Sequence, residues 1–143
     1  MEIKEIDIND PLYEKTLELR TKVISIPFGF PPPIKEKETP DSHMFVMEDD
    51  GAVVGFAVIT PSEDKKSIRA RQVSVSPERQ RQGIGRELMK KAEMVAKNLG
   101  YDELRLFAHT GSYPFFLKLN YVAQGNWQTQ ESGLKTISMC KSL

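Results

Sequence analysis

The stretch from Val73 to Gly100 constrains the fold most. An apolar strand pattern ends in a short loop rich in Gln, Arg and Gly, and a long amphipathic helix begins at once. Within that helix Ile84, Leu88, Ala92, Val95 and Leu99 recur on one face, and Gly100 supplies a stop. A one-sided helix needs a layer to cover its apolar face, and the strand that feeds it points to a sheet.

The flanking sequence supplies the rest of that sheet. Ile3, Ile6 and Ile8 suggest a first strand, and Leu12, Thr16, Leu19 and Val23 follow helical spacing from Pro11 to Val23. Asp10 is placed as its N-cap and Pro11 as its first residue. Ile24 to Ser42 carries five prolines and reads as a long surface loop, expected to border a ligand cleft. Asp49-Asp50-Gly51 between apolar runs signals a hairpin. Ile68 to Ser76 reads as a strand with Ala70, Gln72 and Ser74 opposed to Arg69, Arg71, Val73 and Val75. Leu104, Leu106 and Ala108 give another strand, Ser112 to Leu119 a short segment, and 121–128 and 134–140 two last strands. The order βα-loop-βββαβαββ describes one α/β (α+β) domain over residues 1–143, with no repeats or linkers.

Charge narrows the partners. Twenty basic residues balance twenty acidic ones, which argues against a nucleic-acid binder or an anionic-membrane binder. The balance is uneven along the chain. Residues 1–64 hold fourteen acids against six bases, and residues 65–91 hold nine bases against two acids. Such a basic block marks either a solvated face or a phosphate-bearing ligand. A single cysteine, Cys140, excludes an internal disulfide and reads as a small apolar residue. No apolar run is long enough to cross a bilayer and the first residues do not resemble a signal peptide, so a cytoplasmic protein is expected.

The chemistry concentrates at Val73-Ser74-Val75 and at Gln80-Arg81-Gln82-Gly83-Ile84-Gly85-Arg86. The first N–H groups of a helix have no internal partner, and the helix dipole adds positive potential there. Glycines let the backbone come close to an anion, and Arg79, Arg81 and Arg86 add full charges. The arrangement predicts a phosphate or pyrophosphate site. It is no P-loop, because Arg86-Glu87 follows Gly85, and it is a poor dinucleotide fingerprint, because Leu88 stands where glycine or alanine is needed. His43 and His109 lack the neighbours of a metal site.

Gln80-Arg-Gln-Gly83-Ile-Gly85 resembles the Gln/Arg-x-x-Gly-x-Gly/Ala motif of the GCN5-related N-acetyltransferases. Pro114-Phe115-Phe116-Leu117-Lys118-Leu119-Asn120-Tyr121 resembles that family's late helix and turn. The resemblance spans roughly residues 3–143. It implies a mixed, mostly antiparallel central sheet flanked by helices and splayed between its fourth and fifth strands. It implies acetyl-CoA as cosubstrate and no metal. Val73, Ser74 and Val75 would pair with the pantetheine arm, residues 80–86 would hold the pyrophosphate, and Phe116 would pack on the arm. The amine of a small molecule or peptide would attack the acyl carbon directly, in a ternary complex. Relatives often dimerise, so a homodimer is a further expectation.

Two departures bear on catalysis. No carboxylate lies between Ile68 and Ser76, where relatives often place a glutamate base, and Phe116 stands where they often place a tyrosine acid. Tyr113 could donate to the thiolate or could simply pack; His109 could serve as base through a water or be a bystander. Trp127, Phe28 and Phe30 read as packing residues. The departures leave a second function in play, a CoA-binding sensor or regulatory module with little catalysis. The acidic N-terminal half mildly favours a cationic acceptor.

Overall fold

The computed structural model describes all residues 1–143. The chain runs β1 (Glu2–Ile6), α1 (Tyr13–Arg20), α2 (Ile26–Phe28), β2 (His43–Asp49), β3 (Ala52–Pro61), β4 (Ile68–Val75), α3 (Ile84–Asn98), β5 (Glu103–His109), α4 (Tyr113–Lys118), β6 (Val122–Thr129) and β7 (Lys135–Ser142). Seven strands form one sheet in the order β1-β2-β3-β4-β5-β7-β6. Every neighbouring pair is antiparallel except β4–β5. No helix is long and apolar enough to cross a membrane.

Two cores cover the two faces of the sheet. The larger gathers Phe45, Ala57 and Ile59 with Ile84, Leu88, Met89 and Ala92 of α3 and with Phe116 of α4. The smaller joins Tyr13 and Leu19 of α1 to Met44, Val46, Phe56 and Val58. Alternate residues of β2 and β3 thus serve opposite cores, as the period of a strand requires. The hairpin turn is made by Asp50 (φ 50°) and Gly51 (φ 83°), both left-handed as a tight two-residue hairpin needs. At the end of α3 the Tyr101 N–H bonds Ala96 O at 3.1 Å and the Gly100 N–H bonds Lys97 O at 2.9 Å, a Schellman closure around Gly100 (φ 99°).

Three expectations need correction. Asp10 does not cap α1 as its flanking residue: its carboxylate accepts from the Leu12 N–H at 2.9 Å in a local turn, and the helix begins at Tyr13. The region after Val23 is not loop throughout, since Thr21–Ser25 forms a π turn and α2 continues to Phe28 through Pro27. The π turn widens the helix ahead of a ring that would otherwise press on a carbonyl one turn back, and left-handed Gly29 closes it. On α3, Leu99 is exposed and Met89 and Ala96 take its place on the buried face.

Gly55 sets how closely α3 approaches the sheet. A Cβ there would lie 2.6 Å from Ile84 Cγ2 and 2.9 Å from Leu88 Cδ1. Overpacking of this kind costs about 1–3 kcal/mol. Gly55→Ala should therefore lower the urea midpoint with an unchanged slope, whereas Gly51→Asn, in open space at a hairpin turn, should cost little.

Candidate active site

Strand β4 carries the site, and its shape departs from the alternation expected over Ile68 to Ser76. Phe56 pairs with Ser74 and Val58 with Arg71, so Gln72 and Val73 together oppose Ala57. This is a β-bulge, and Gln72 takes the left-handed φ of 54°. The extra residue reverses the facing of everything beyond it. Val73 and Val75 pack with Ile68 and Ala70 against the larger core, while Ser74 pairs with Phe56 of the smaller one. Ser74 Oγ donates to Gln72 O at 3.0 Å, which fixes the bulge from within.

Beyond the bulge β4 is open on one side. Its parallel ladder to β5 is a single registered pair, Arg69 with Arg105, whereas β5 and β7 share seven. From Ala70 onward the β5-facing edge of β4 has no strand partner, which is the expected splay. A strand edge left unpaired inside a sheet presents N–H and C=O groups to any extended chain that can lie along it.

The loop after β4 offers a second set of free donors. None of the N–H groups from Gln80 to Arg86 finds an acceptor within the protein; the first that does is Glu87, bonding Gly83 O at 3.0 Å. Arg81 (φ 64°) and Gly83 (φ 80°) are both left-handed and turn the loop into α3. The two glycines do different work. Gly83 is required by its φ, with nothing within 4 Å of a built Cβ. Gly85 is required by contact, because a Cβ would lie 3.0 Å from Phe115 Cζ and 3.6 Å from Val75 Cγ2. Arg81 and Arg86 stand exposed beside the loop, but Arg79 does not join them, since its guanidinium is held by Asp49 at 2.6 Å.

The remaining candidates scatter. Phe116 is 5% exposed and sits edge-on to Phe115 and Tyr121 in the core. Its ring is thus enclosed by protein, and the ring that reaches Gly85 is that of Phe115, to which the sequence assigns no role. Tyr113 packs edge-on to Trp127 of β6 at 5.2 Å and, like Val73 and Val75, against the larger core. His109 ends β5 with its ring 4.8 Å from Phe28, which brings the proline-rich segment onto the mouth of the gap. Its Nδ1 accepts from the Gly111 N–H at 3.1 Å, so in the neutral ring the proton resides on Nε2. That leaves no free lone pair for a base. Burial also lowers its pKa.

Sequence reasoning missed the support beneath the bulge. Arg20, only 2% exposed, donates from Nε to Gln72 Oε1 at 2.8 Å and from Nη2 to Glu38 Oε1 at 2.8 Å. Its guanidinium also lies 4.5 Å from the Phe56 ring centre. A depression of 650 Å³ lined by Lys65, Lys66, Tyr101 and Arg105 lies at the opposite end of β4 and β5 and contains none of the loop residues. No group of three or more His, Cys, Asp or Glu side chains is placed to hold a metal ion.

The whole architecture recurs in solved acyltransferases. An aminoglycoside 6'-N-acetyltransferase complexed with coenzyme A superposes with a TM-score of 0.84 at 18% identity, covering 99% of this chain and 97% of that one. An acyl-CoA N-acyltransferase from Pseudomonas aeruginosa gives 0.81 at 20% identity, covering 98% of each. A GNAT family acetyltransferase from Elizabethkingia anophelis with acetyl-CoA bound gives 0.74 at 17% identity, covering 99% and 97%. These likenesses define the fold class. The sequence itself matches the acetyltransferase (GNAT) family over residues 11–121, and the chain belongs to that family.

The lowered pKa of His109 has a consequence for stability. A histidine held neutral in the fold binds its proton more readily once unfolded, so stability is unaffected above the unfolded value near 6.5 and declines as pH falls below it. His109→Asn should flatten that decline. The check is the difference between the two proteins in thermal midpoint from pH 7.5 to 5.

Proposed function

We propose that this protein transfers the acetyl group of acetyl-CoA to an amine. The observation that carries the reading is the run of unpaired N–H groups from Gln80 to Arg86, which meets the open edge of β4 at its C-terminal end. The loop donors and α3 dipole would hold the pyrophosphate, with Arg81 and Arg86 adding charge. The edge at Val73 to Val75 would take the pantetheine arm as an added strand, and Phe115 would flank it. The amine would come from the α1 face, past Phe28 and His109, and attack the thioester carbon directly, with a β4 N–H polarising the carbonyl. A neutral amine suffices for that attack. The leaving thiolate needs no acid, because a thiol with a pKa near ~8.5 is a tolerable leaving group in neutral water.

Binding and catalysis can be tested apart. Acetyl-CoA should bind with low- to mid-micromolar affinity by calorimetry. Gly83→Val should weaken it at least about tenfold, near 1.4 kcal/mol, because a β-branched residue cannot hold φ 80°. The Arg81→Gln, Arg86→Gln double variant should weaken it and reduce its salt dependence. Parent-like affinity in Gly83→Val would remove the loop from the site.

Tyr113→Phe tests the proton donor. General-acid help is worth about 10²–10⁴-fold where it is used, and the Tyr113 ring is engaged edge-on with Trp127 of β6. Turnover at saturating substrate should change little. A loss of a hundredfold with unchanged acetyl-CoA affinity would make Tyr113 the acid. The sensor alternative draws on the enclosed Phe116 and the committed His109 Nδ1. Tight binding without thiol release across an amine panel would favour it.

A further inference from the structure

Several acids of the N-terminal half are held in ion pairs within the protein. Asp49 holds Arg79 at 2.6 Å, Glu48 holds Lys4 at 3.0 Å, Glu38 holds Arg20 at 2.8 Å, and Asp41 holds Lys65. Glu14 and Glu18 of α1 stay outside these pairs, and so do two cations of β4 that lie nearer the gap. Arg69 and Arg71 project from β4 on the α1 face, and none of the ten ion pairs includes either one. Arg71 is half-buried and its Nε is an enclosed donor without a partner. Arg69 lies over the Phe107 ring, its guanidinium carbon 5.2 Å from the ring centre. Desolvation lowers the pKa of both, and at Arg71 the neighbouring Arg69 and Arg20 push the same way while Glu38 opposes them.

A guanidinium withdrawn from water without a counter-ion is costly, and its fork matches carboxylates and phosphates. Arg71 bears that cost, Arg69 being exposed, and the position of Arg71 gives the cost a use. The β4–β5 ladder ends at Arg69, so Arg71 stands at the mouth of the gap, beside the Gln72–Val73 bulge. Across it lie His109, whose Nε2–H is a further donor, and the Phe28 ring. We infer that the acceptor is an amine that also carries an anionic group, a carboxylate or a phosphate, seated by Arg71 with Arg69 so that its nitrogen faces the bulge. This reverses the cationic bias suggested by the linear charge distribution, and it rests on the acetyl-transfer reading above.

The test uses matched amines in a thiol-release assay: phenylalanine against phenylalaninamide, O-phosphoethanolamine against ethanolamine, and spermidine as a polycation. Chemistry alone favours the amide, whose ammonium is the more acidic and supplies more free amine at neutral pH. The expected result is a kcat/KM at least tenfold higher for the anionic member of one pair, which also tells carboxylate from phosphate. In Arg71→Gln that ratio should collapse toward one with acetyl-CoA affinity unchanged by calorimetry, and Arg71→Lys should keep part of it. A preference for spermidine or for the neutral members, or a ratio unaltered in Arg71→Gln, would overturn the inference while leaving acetyl transfer intact. If acetyl-CoA fails to bind, it is the acetyl-transfer reading that fails. If it binds but no amine turns over, calorimetry with CoA compares N-acetylphenylalanine with N-acetylphenylalaninamide, and N-acetyl-O-phosphoethanolamine with N-acetylethanolamine. Absent or equal binding in both pairs overturns the inference.

Discussion

A buried hydrogen bond from Arg20 Nε to Gln72 Oε1 holds the middle of β4, and the geometry of the site depends on it. A glutamine in the left-handed region costs roughly 1–2 kcal/mol. A bond from a charged donor contributes about 1.5–3 kcal/mol, enough to offset that strain. The bulge that results turns Val73 and Val75 toward α3 and bends β4 where its ladder to β5 stops. A β4 without the bulge would keep strict alternation, and Val73 and Val75 would face α1 instead.

Arg20 is itself held by the proline-rich segment. Glu38 follows the short turn Lys35–Lys37 and meets Arg20 with side chains 3% and 6% exposed. Removing one partner of such a pair typically costs about 3–5 kcal/mol, since the other charge is left buried. The ion pair therefore acts as a clamp: it fastens residues 35–41 to α1, and through Gln72 it fastens both to β4. Tyr13 joins the cluster, its hydroxyl pKa pushed up to about 12 by burial and by Glu38. Loop, helix and strand are in this way tied together beside the gap.

What the sequence disclosed and what it hid follow from how local each cause is. The Gln80–Arg86 loop and α3 were legible because glycine spacing, helical period and a strand-to-helix junction are written in neighbouring residues. The hairpin at Asp50-Gly51 was legible for the same reason. The bulge was not, because the partner that holds the Gln72 side chain, Arg20, lies fifty-two positions away. Arg20 itself carried no signal, being one charge among many until the fold buries it. The charge map was incomplete in the same way. Runs of one sign were visible, but the pairs Asp49–Arg79 and Asp41–Lys65 that offset part of them exist only in three dimensions. Helix α4 lies between these cases. Its existence was readable, yet which of Phe115 and Phe116 reaches Gly85 depends on how the helix is rotated, and packing sets that.

The lack of an evident acid or base is consistent with the proposed transfer once the magnitudes are compared. A general acid or base contributes about 10²–10⁴-fold, roughly 3–5 kcal/mol. Holding two reactants in an attack geometry can remove about 7–11 kcal/mol of barrier. Placement is thus the larger effect, and in the proposed transfer these features would serve placement: unpaired N–H groups for one end of the cosubstrate, a vacant strand edge for its arm, and a clamped bulge beside two unpaired arginines. A site organised in this way needs rigidity at Gln72 more than it needs a titrating side chain. Its weakest point is then the Arg20–Glu38 clamp, which touches neither the loop donors nor the open edge and yet holds Arg20 against the bulge at Gln72.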